Sequence, residues 1–176
     1  MFRCAWLADM RDPYEGIPAP AKLNVTSKDF EDGAPLPVDT TASEGGKSIS
    51  PQLSWSDVPK GTKVFYVHCY DPDAPTPSGY WHWSLVNIPA YVNSLDRDAA
   101  KNPPAGAITL RNDNGQREYM GAAPPTGHGP HRYFFTVYAL DAPLDINENT
   151  TATTASFMAR MHTLARGSVV GTFENK

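Results

Sequence analysis

Four side chains that can donate, accept or transfer protons lie at the ends of three apolar segments of the sequence. Asp71 directly follows the first segment, and His82 stands at the start of the second. His131 and Tyr133 stand at the start of the third. Imidazole and phenol groups donate hydrogen bonds, and bonds to a charged acceptor such as phosphate are stronger than neutral ones. These residue types indicate either a binding site for a small anion or acid–base chemistry.

The apolar segments that carry these residues are predicted to be β-strands. Each is rich in β-branched and aromatic side chains, and each is bounded by proline or glycine residues, which end strands. Alternate residues of a strand point to opposite faces, so His131 and Tyr133 share one face while Arg132 points to the other. Both motif histidines therefore lie at strand starts, in matched settings. The predicted strands are 64–70, 81–88 and 133–140.

Asp71 and Asp73 lie in the sequence DPDAP, where the first of these strands ends in a turn stiffened by proline. Carboxylates in such a turn commonly cap nearby backbone amides, which is the structural interpretation. A carboxylate would also repel an anion, unless it accepts a hydrogen bond from a histidine ring and stabilises the imidazolium that meets the anion. We hypothesise this second role for Asp71, and amide capping is the alternative.

Other residues near these motifs are assigned weaker roles. The segment 121–127, GAAPPTG, lacks bulky side chains, so a ligand could approach its backbone and any free N–H groups there could bind an anion. Taken singly, His68, His128 and His162 are more typical of structural than of functional histidines. Cys69 lies within an apolar strand, where burial raises the pKa of a thiol, so a structural role is predicted for it.

The rest of the chain predicts short strands, turns and one late helix. Further strands are predicted at 22–27, 107–110 and 168–173. An apolar stripe at helical spacing predicts the helix, and Gly167 is predicted to end it. The stripe consists of Phe157, Met161 and Leu164, with Ala155, Met158 and Ala165 beside them. Strands bounded by turns, with a single helix, favour a β-sandwich.

Length and prolines divide the chain into an arm and one domain. The 176 residues suit a single core, and three prolines within residues 11–20 predict an extended arm. We place this N-terminal arm at residues 1–21 and the domain at residues 22–176. The arm and a sheet edge are both available for a homodimer.

Composition excludes several classes of protein. Apolar residues make up 40% of the chain and charged residues 19%, which is typical of neither a disordered nor a membrane protein. The net charge of −4 argues against nucleic-acid binding and, together with the lack of an amphipathic membrane helix, against stable membrane insertion. Two cysteines, Cys4 and Cys69, exclude a disulfide framework. Because no secretory signal is recognised at the N-terminus, a cytoplasmic location is expected.

Four sequence motifs resemble the phosphatidylethanolamine-binding protein family, whose members include the Raf kinase inhibitor proteins of animals and flowering-control proteins of plants. The match is close to its bacterial branch, and the motifs extend in order over roughly residues 22–173. They are SPQLSW at 50–55, DPDAP at 71–75, WHWSLVNIP at 81–89 and GAAPPTGHGPHRYFFTVYAL at 121–140.

The resemblance implies an all-β fold, an antiparallel Greek-key β-sandwich with a C-terminal α-helix and short connecting turns. It implies a small anion pocket lined by Asp71, His82, His131 and Tyr133, with Pro124 and the backbone of Ala123 closing one side. It also implies a cis peptide between Ala74 and Pro75. The sequence departs from the animal pattern in the short connection 76–81 and in Ala123, where glycine is common, and both could reshape the rim of the pocket.

We therefore expect a protein that binds phosphate or a phospholipid headgroup and that could act through a regulatory protein partner. The first alternative is a hydrolase that uses the Asp, His, His and Tyr side chains for acid–base chemistry, although no nucleophile motif is present. A second is a metal site, because two histidines and a carboxylate resemble a facial triad. No cofactor and no metal are expected.

Overall fold

The computed structural model describes residues 11–176. Residues 1–10 of the predicted arm, which include Cys4, lie outside this range. The expectation that this segment holds no secretory signal therefore stays a prediction from the sequence. The strands are β1 (Ala21–Lys22), β2 (Asn24–Thr26), β3 (Leu53–Ser56), β4 (Val64–Asp71), β5 (Tyr80–Pro89), β6 (Ser94–Leu95), β7 (Ile108–Thr109), β8 (His131–Leu140) and β9 (Thr163–Phe173), and the helix is α1 (Ala152–Ala159). The described chain is thus mostly strand with one short helix, as predicted. No helix within it is long and apolar enough to cross a bilayer.

Two sheets form the described domain. The larger has six strands in the order β1-β9-β8-β4-β5-β7, and the smaller has the order β2-β3-β6. Strand β4 is central and is buried at all but one position, because both of its faces are covered. Phe65 packs against Trp55 of the smaller sheet, with ring centroids 5.2 Å apart. On the opposite face, Tyr66 belongs to a second cluster that includes Ala155 of α1.

The larger sheet is mixed, which corrects the prediction of an antiparallel sandwich. Strand β1 pairs in parallel with β9, with Ala21 opposite Ala165 and Lys22 opposite Arg166. Parallel neighbours need a long crossover connection, and here most of the domain separates the two strands in sequence. The pairs that position the candidate site, β4 with β5 and β4 with β8, are antiparallel. The Greek-key order remains a prediction.

The helix differs from its predicted position. It ends before Leu164, and it buries three alanines, Ala152, Ala155 and Ala159. The predicted stripe is wrong, because Phe157 and Met161 are 67% and 71% exposed. Leu164 and Ala165 belong to β9 instead, since pairing with β8 along the whole strand outweighs the local helical pattern. The helix is also followed by this long strand, so it is not the C-terminal element.

Gly167 does not end a helix but allows two backbones to approach closely. It lies in β9, and a Cβ atom there would be 2.1 Å from the carbonyl oxygen of Leu23. Any larger residue would push the segment between β1 and β2 away from the sheet. The glycine therefore reflects packing and not chain termination.

The described part of the arm packs against the larger sheet. Residues 13–16 form a turn, in which Glu15 N–H donates to the carbonyl of Asp12 at 3.0 Å. The prediction of an extended conformation is therefore wrong for these residues. The Tyr14 hydroxyl lies 2.6 Å from His68 Nε2 and 2.7 Å from Thr136 Oγ1. His68 therefore helps to hold the arm against the sheet, which is a structural role of the kind predicted for it. Cys69 is a free, buried thiol whose pKa is raised by burial, in agreement with its predicted role.

Candidate functional site

A cavity of about 260 Å³ opens where β4 ends and where β5 and β8 begin. Since β4 is antiparallel to both neighbours, its C-terminal end lies beside their N-terminal ends, which brings Asp71 and the two motif histidines together. All of the predicted site residues line this cavity. They are Asp71, His82, Ala123, Pro124, His131 and Tyr133.

Asp71 holds His131 by a short hydrogen bond. His131 Nδ1 lies 2.7 Å from Asp71 Oδ2, and both side chains are almost fully buried. Because a carboxylate accepts, the Nδ1 of His131 carries the hydrogen. Asp71 Oδ1 accepts from the backbone N–H of Asp73 at 2.8 Å, so Asp71 orients the ring and also caps the turn. The two interpretations of Asp71 are therefore compatible.

His131 also contacts a third histidine, which sequence reasoning treated as structural. His128 Nδ1 lies 2.6 Å from His131 Nε2, and the two ring centroids are 4.9 Å apart. Asp71, His131 and His128 thus form a continuous chain of hydrogen bonds at the cavity edge. The spacing of His128 and His131 on either side of Gly129-Pro130 was the available sequence signal, because a tight turn brings such residues side by side.

His82 is held from the opposite side of the cavity by a backbone carbonyl. Its Nδ1 lies 2.7 Å from the carbonyl oxygen of Met120, which can only accept, so Nδ1 carries the hydrogen. Burial lowers the pKa of His82, an effect that the Met120 bond and the charge of Asp71 only partly offset. The ring is therefore neutral near neutral pH. No sequence pattern pointed to the Met120 carbonyl as a partner.

Tyr133 contributes a buried hydroxyl without a partner. Its oxygen has no hydrogen-bond partner within residues 11–176, and burial followed by the charge of Asp71 raises the pKa of this phenol. The Tyr133 ring packs edge-on against His82, with centroids 5.2 Å apart. Tyr80 packs against the other side of His82, with centroids 4.9 Å apart, and it also lines the cavity. Tyr133 therefore remains a neutral donor.

The turn that follows β4 is fixed by an ion pair outside the cavity. Arg132 Nε and a terminal nitrogen of its guanidinium each donate to Asp73 at 2.8 Å, and the Arg132 backbone N–H adds a bond of 2.9 Å. As predicted, Arg132 points away from the face of Tyr133, and it is not a cavity residue. The bidentate pair ties the turn to the start of β8, which holds Asp71 in register with His131.

The Ala123-Pro124 wall is anchored by the end of the described chain. The Asn175 side-chain amide donates to the carbonyl of Pro124 at 2.7 Å, and the Asn175 carbonyl accepts from Gly127 N–H at 3.1 Å. Gly121 N–H donates to Ser48 Oγ at 3.0 Å. The N–H groups at both ends of the segment 121–127 are thus used within the protein, which narrows the predicted set of free backbone donors.

The peptide between Ala74 and Pro75 is trans, because residues 11–176 contain no cis peptide bond. The resemblance implied a cis bond here, and that expectation is wrong. A trans peptide is the preferred form, and the turn closes in this form by a bond of 2.7 Å from Thr76 N–H to the carbonyl of Ala74. Both Pro75 and Thr76 line the cavity.

The described residues include no group of three or more His, Cys, Asp or Glu side chains arranged to hold a metal ion. Both carboxylate oxygens of Asp71 are already engaged, by His131 and by the Asp73 backbone. The Nδ1 atoms of His82 and His131 are engaged as well. The contacts of these side chains within the described residues are hydrogen bonds.

Comparison with known proteins connects the cavity to a family. The family model for phosphatidylethanolamine-binding protein matches residues 26–174. The UPF0098 protein YbhB of Escherichia coli strain K12 is 43% identical over 158 residues, which cover 86% of this chain and 99% of YbhB. The UPF0098 protein YbcL of the same organism is 41% identical over 165 residues, which cover 89% of this chain and 90% of YbcL.

Solved structures agree with these matches. The crystal structure of E. coli YbcL, described as a new member of the mammalian family, superposes with a TM-score of 0.84 at 40% identity. The superposition covers 89% of this chain and all of the YbcL chain. The chain therefore belongs to the phosphatidylethanolamine-binding protein family.

Proposed function

We propose that the cavity binds a small phosphate-like anion, either free phosphate or a phosphorylated headgroup. The observation that supports this most strongly is the hydroxyl of Tyr133, a cavity residue, which is buried and has no hydrogen-bond partner among residues 11–176. Leaving a buried donor unsatisfied costs about 1–3 kcal/mol, so a ligand oxygen that accepts from it would recover that cost.

The negative charge of Asp71 is compatible with an anionic ligand. The carboxylate accepts hydrogen bonds from His131 at 2.7 Å and from the Asp73 backbone at 2.8 Å, so its charge is partly neutralised before a ligand arrives. If His131 becomes an imidazolium, Asp71 stabilises that charge across a short buried bond. The ion pair at His131 would then face the anion as a donor.

Anion binding at this site should depend on pH. His82 is neutral because burial lowers its pKa, and a neutral ring with hydrogen at Nδ1 offers only a lone pair at Nε2. A phosphate oxygen can approach that nitrogen only if a proton lies between them. Since fewer protons are available as pH rises, we expect affinity to fall from pH 6 to pH 8.

Isothermal titration calorimetry with inorganic phosphate at pH 6 and pH 8 tests the proposal. Wild-type protein should bind more tightly at pH 6, and His131→Ala should lose most of the affinity because it removes the ring that Asp71 and His128 hold at the edge of the cavity. His162→Ala is the matched control, since His162 is an exposed histidine that does not line the cavity. Equal affinity at both pH values, or unchanged binding by His131→Ala, would contradict the mechanism.

A second candidate is hydrolysis of a phosphate ester. The hydrogen-bonded chain of Asp71, His131 and His128 favours it, because such a chain can orient a water molecule and move a proton. A phosphatase assay with p-nitrophenyl phosphate distinguishes the two candidates. Turnover that disappears in His131→Ala would favour the hydrolase, while ligand binding without turnover would favour the binding protein.

Three further expectations from the sequence stay proposals. They are a regulatory protein partner, a homodimer and a cytoplasmic location. Light scattering of the purified full chain tests the homodimer. If the protein acts through a protein partner and not through the ligand, His82→Ala should leave its cellular phenotype intact, while changes within residues 90–118 should abolish that phenotype.

A further inference from the structure

We infer that the cavity selects phosphomonoesters over phosphodiesters, because the ligand must bring its own proton to His82. This inference rests on the proposed anion-binding function and names the class of anion. It distinguishes the two sources of phosphate chemistry, since the headgroup of an intact phospholipid is a diester, whereas free phosphate and phosphorylated small molecules are not.

One nitrogen of the His82 ring is fixed as a donor, which leaves the other for a ligand. The 2.7 Å contact between His82 Nδ1 and the carbonyl oxygen of Met120 fixes the hydrogen at Nδ1, because a carbonyl has none to give. A neutral ring with that hydrogen presents an acceptor at Nε2. This is the ring nitrogen left for a ligand, and His82 lines the cavity.

The charge of the His82 ring depends on its burial and on the titratable groups around it. The surrounding titratable groups act in both directions: Asp71 and Asp113 favour the charged ring, and His131 disfavours it. The rings packed against it are those of Tyr80 and Tyr133. Burial is the largest effect and lowers the pKa of His82 despite the two carboxylates. The protein therefore supplies a neutral acceptor at this position.

His131 and Tyr133 differ in what they leave open to a ligand in the cavity. His131 carries its hydrogen at Nδ1, toward Asp71, and its Nε2 is engaged by His128 at 2.6 Å. Tyr133 offers one O–H donor without a partner in the described chain. Among the side chains of the described lining, the site thus pairs the open Tyr133 donor with the open His82 Nε2 acceptor. Its best complement is a group with one acceptor and one donor side by side.

A phosphomonoester monoanion has this pattern and a phosphodiester does not. The monoanion carries charged oxygens for Tyr133 and an O–H for His82 Nε2, and because its second pKa is near 6, about half of the monoester keeps that proton at pH 6. A diester of the same charge has no O–H. It therefore leaves His82 Nε2 facing a phosphate oxygen, and both of these atoms can only accept. Leaving one buried group unpaired is expected to weaken binding by about tenfold or more.

The experiment compares methyl phosphate with dimethyl phosphate by calorimetry at pH 6, with affinities expressed per monoanion. Phosphorylethanolamine and glycerophosphorylethanolamine form a second pair, in which the diester carries the lipid headgroup itself. In both pairs the monoester should bind at least about tenfold more tightly. Each measurement uses the full chain.

Two variants test whether the proton between the ligand and His82, and not another property of the esters, causes the preference for the monoester. His82→Gln can place an amide N–H where the imidazole places a lone pair, so the two affinities should move to within about threefold of each other. If size alone excludes the diester, this variant keeps the preference. Tyr133→Phe removes a donor that both ligands use, so it should weaken both and leave their ratio unchanged.

The outcomes separate the inference from the proposed function. Monoester preference that disappears in His82→Gln supports both. Equal binding of the two esters by the wild type, or preference retained in His82→Gln, overturns the inference while anion binding stands. If neither pair binds and inorganic phosphate does not bind, the proposed function and the inference fall together.

Discussion

The buried histidine on the opposite face of the larger sheet predicts how stability depends on pH. His68 is completely buried, and burial, assisted by the charge of Arg166, lowers its pKa from 6.5 to about 3. In the unfolded chain the same side chain titrates near its ordinary pKa of about 6.5. Between these two pKa values the unfolded state therefore binds a proton at His68 that the folded state does not bind. Acid consequently favours unfolding.

The size of this effect follows from proton linkage. The stabilisation from keeping His68 neutral is fully present above pH 6.5 and is lost as pH falls toward the native pKa of about 3. Each pH unit well within this window removes about 1.4 kcal/mol, so the loss between pH 8 and pH 5 is about 2 kcal/mol. The lowered pKa of His82 acts in the same direction.

Urea unfolding of the wild type and of His68→Gln at pH 8 and pH 5 measures this contribution. The glutamine can still meet the Tyr14 hydroxyl, which lies 2.6 Å from His68 Nε2, but it does not titrate. We expect the variant to lose about 2 kcal/mol less than the wild type between the two pH values. His162→Gln, at an exposed histidine paired with Asp141, is the control and should follow the wild type. Parallel losses in wild type and His68→Gln would refute the reasoning.

Three further predictions concern packing and are measured by urea unfolding. Asp73→Ala should cost about 2–3 kcal/mol because it leaves the partly buried Arg132 without its bidentate partner, and a loss below about 1 kcal/mol would contradict this. Gly167→Ala should cost about 1–3 kcal/mol, since its methyl group would meet the Leu23 carbonyl, and an unchanged midpoint would disprove the close approach. Phe157→Ser should change stability by less than about 0.5 kcal/mol because Phe157 is mostly exposed. A larger loss would show that Phe157 is packed, as the predicted apolar stripe requires.

The strands and the members of the cavity were predictable because they depend on short-range patterns. Alternation and apolar content located β4, β5 and β8 to within a few residues, and their ends carry Asp71, His82 and His131. The resemblance added Ala123 and Pro124, which no periodicity marks. These residues do line one cavity. Their role in binding an anion remains a proposal.

The errors share a physical origin, which is competition from distant parts of the chain. The helical stripe failed because Leu164 lies in β9, where its neighbours Thr163 and Ala165 pair with β8, and not because its local pattern was weak. The parallel partner of β1 lies more than a hundred residues away, so no local signal could set its direction. The hydrogen on His82 depends on the Met120 carbonyl, which is 38 positions away in sequence. Tautomers and pairing directions of this kind are set only when the fold is complete.

The lengths of the edge strands affect how copies of this chain could meet. The larger sheet ends in β1 and β7, and the smaller in β2 and β6, so each terminal strand among the described residues is only two or three residues long. Where β5 and β9 extend beyond these strands, loop backbone pairs with part of them: Leu110 N–H donates to the carbonyl of Ser84, and Leu36 N–H donates to that of Thr172. A short edge gives a second molecule few backbone groups on which to continue the ladder. Strand addition between molecules, the route to fibrils and to sheet-continuing dimers, is thereby disfavoured. We therefore expect a homodimer of this chain to use the arm, the sheet faces or the loops rather than a sheet edge.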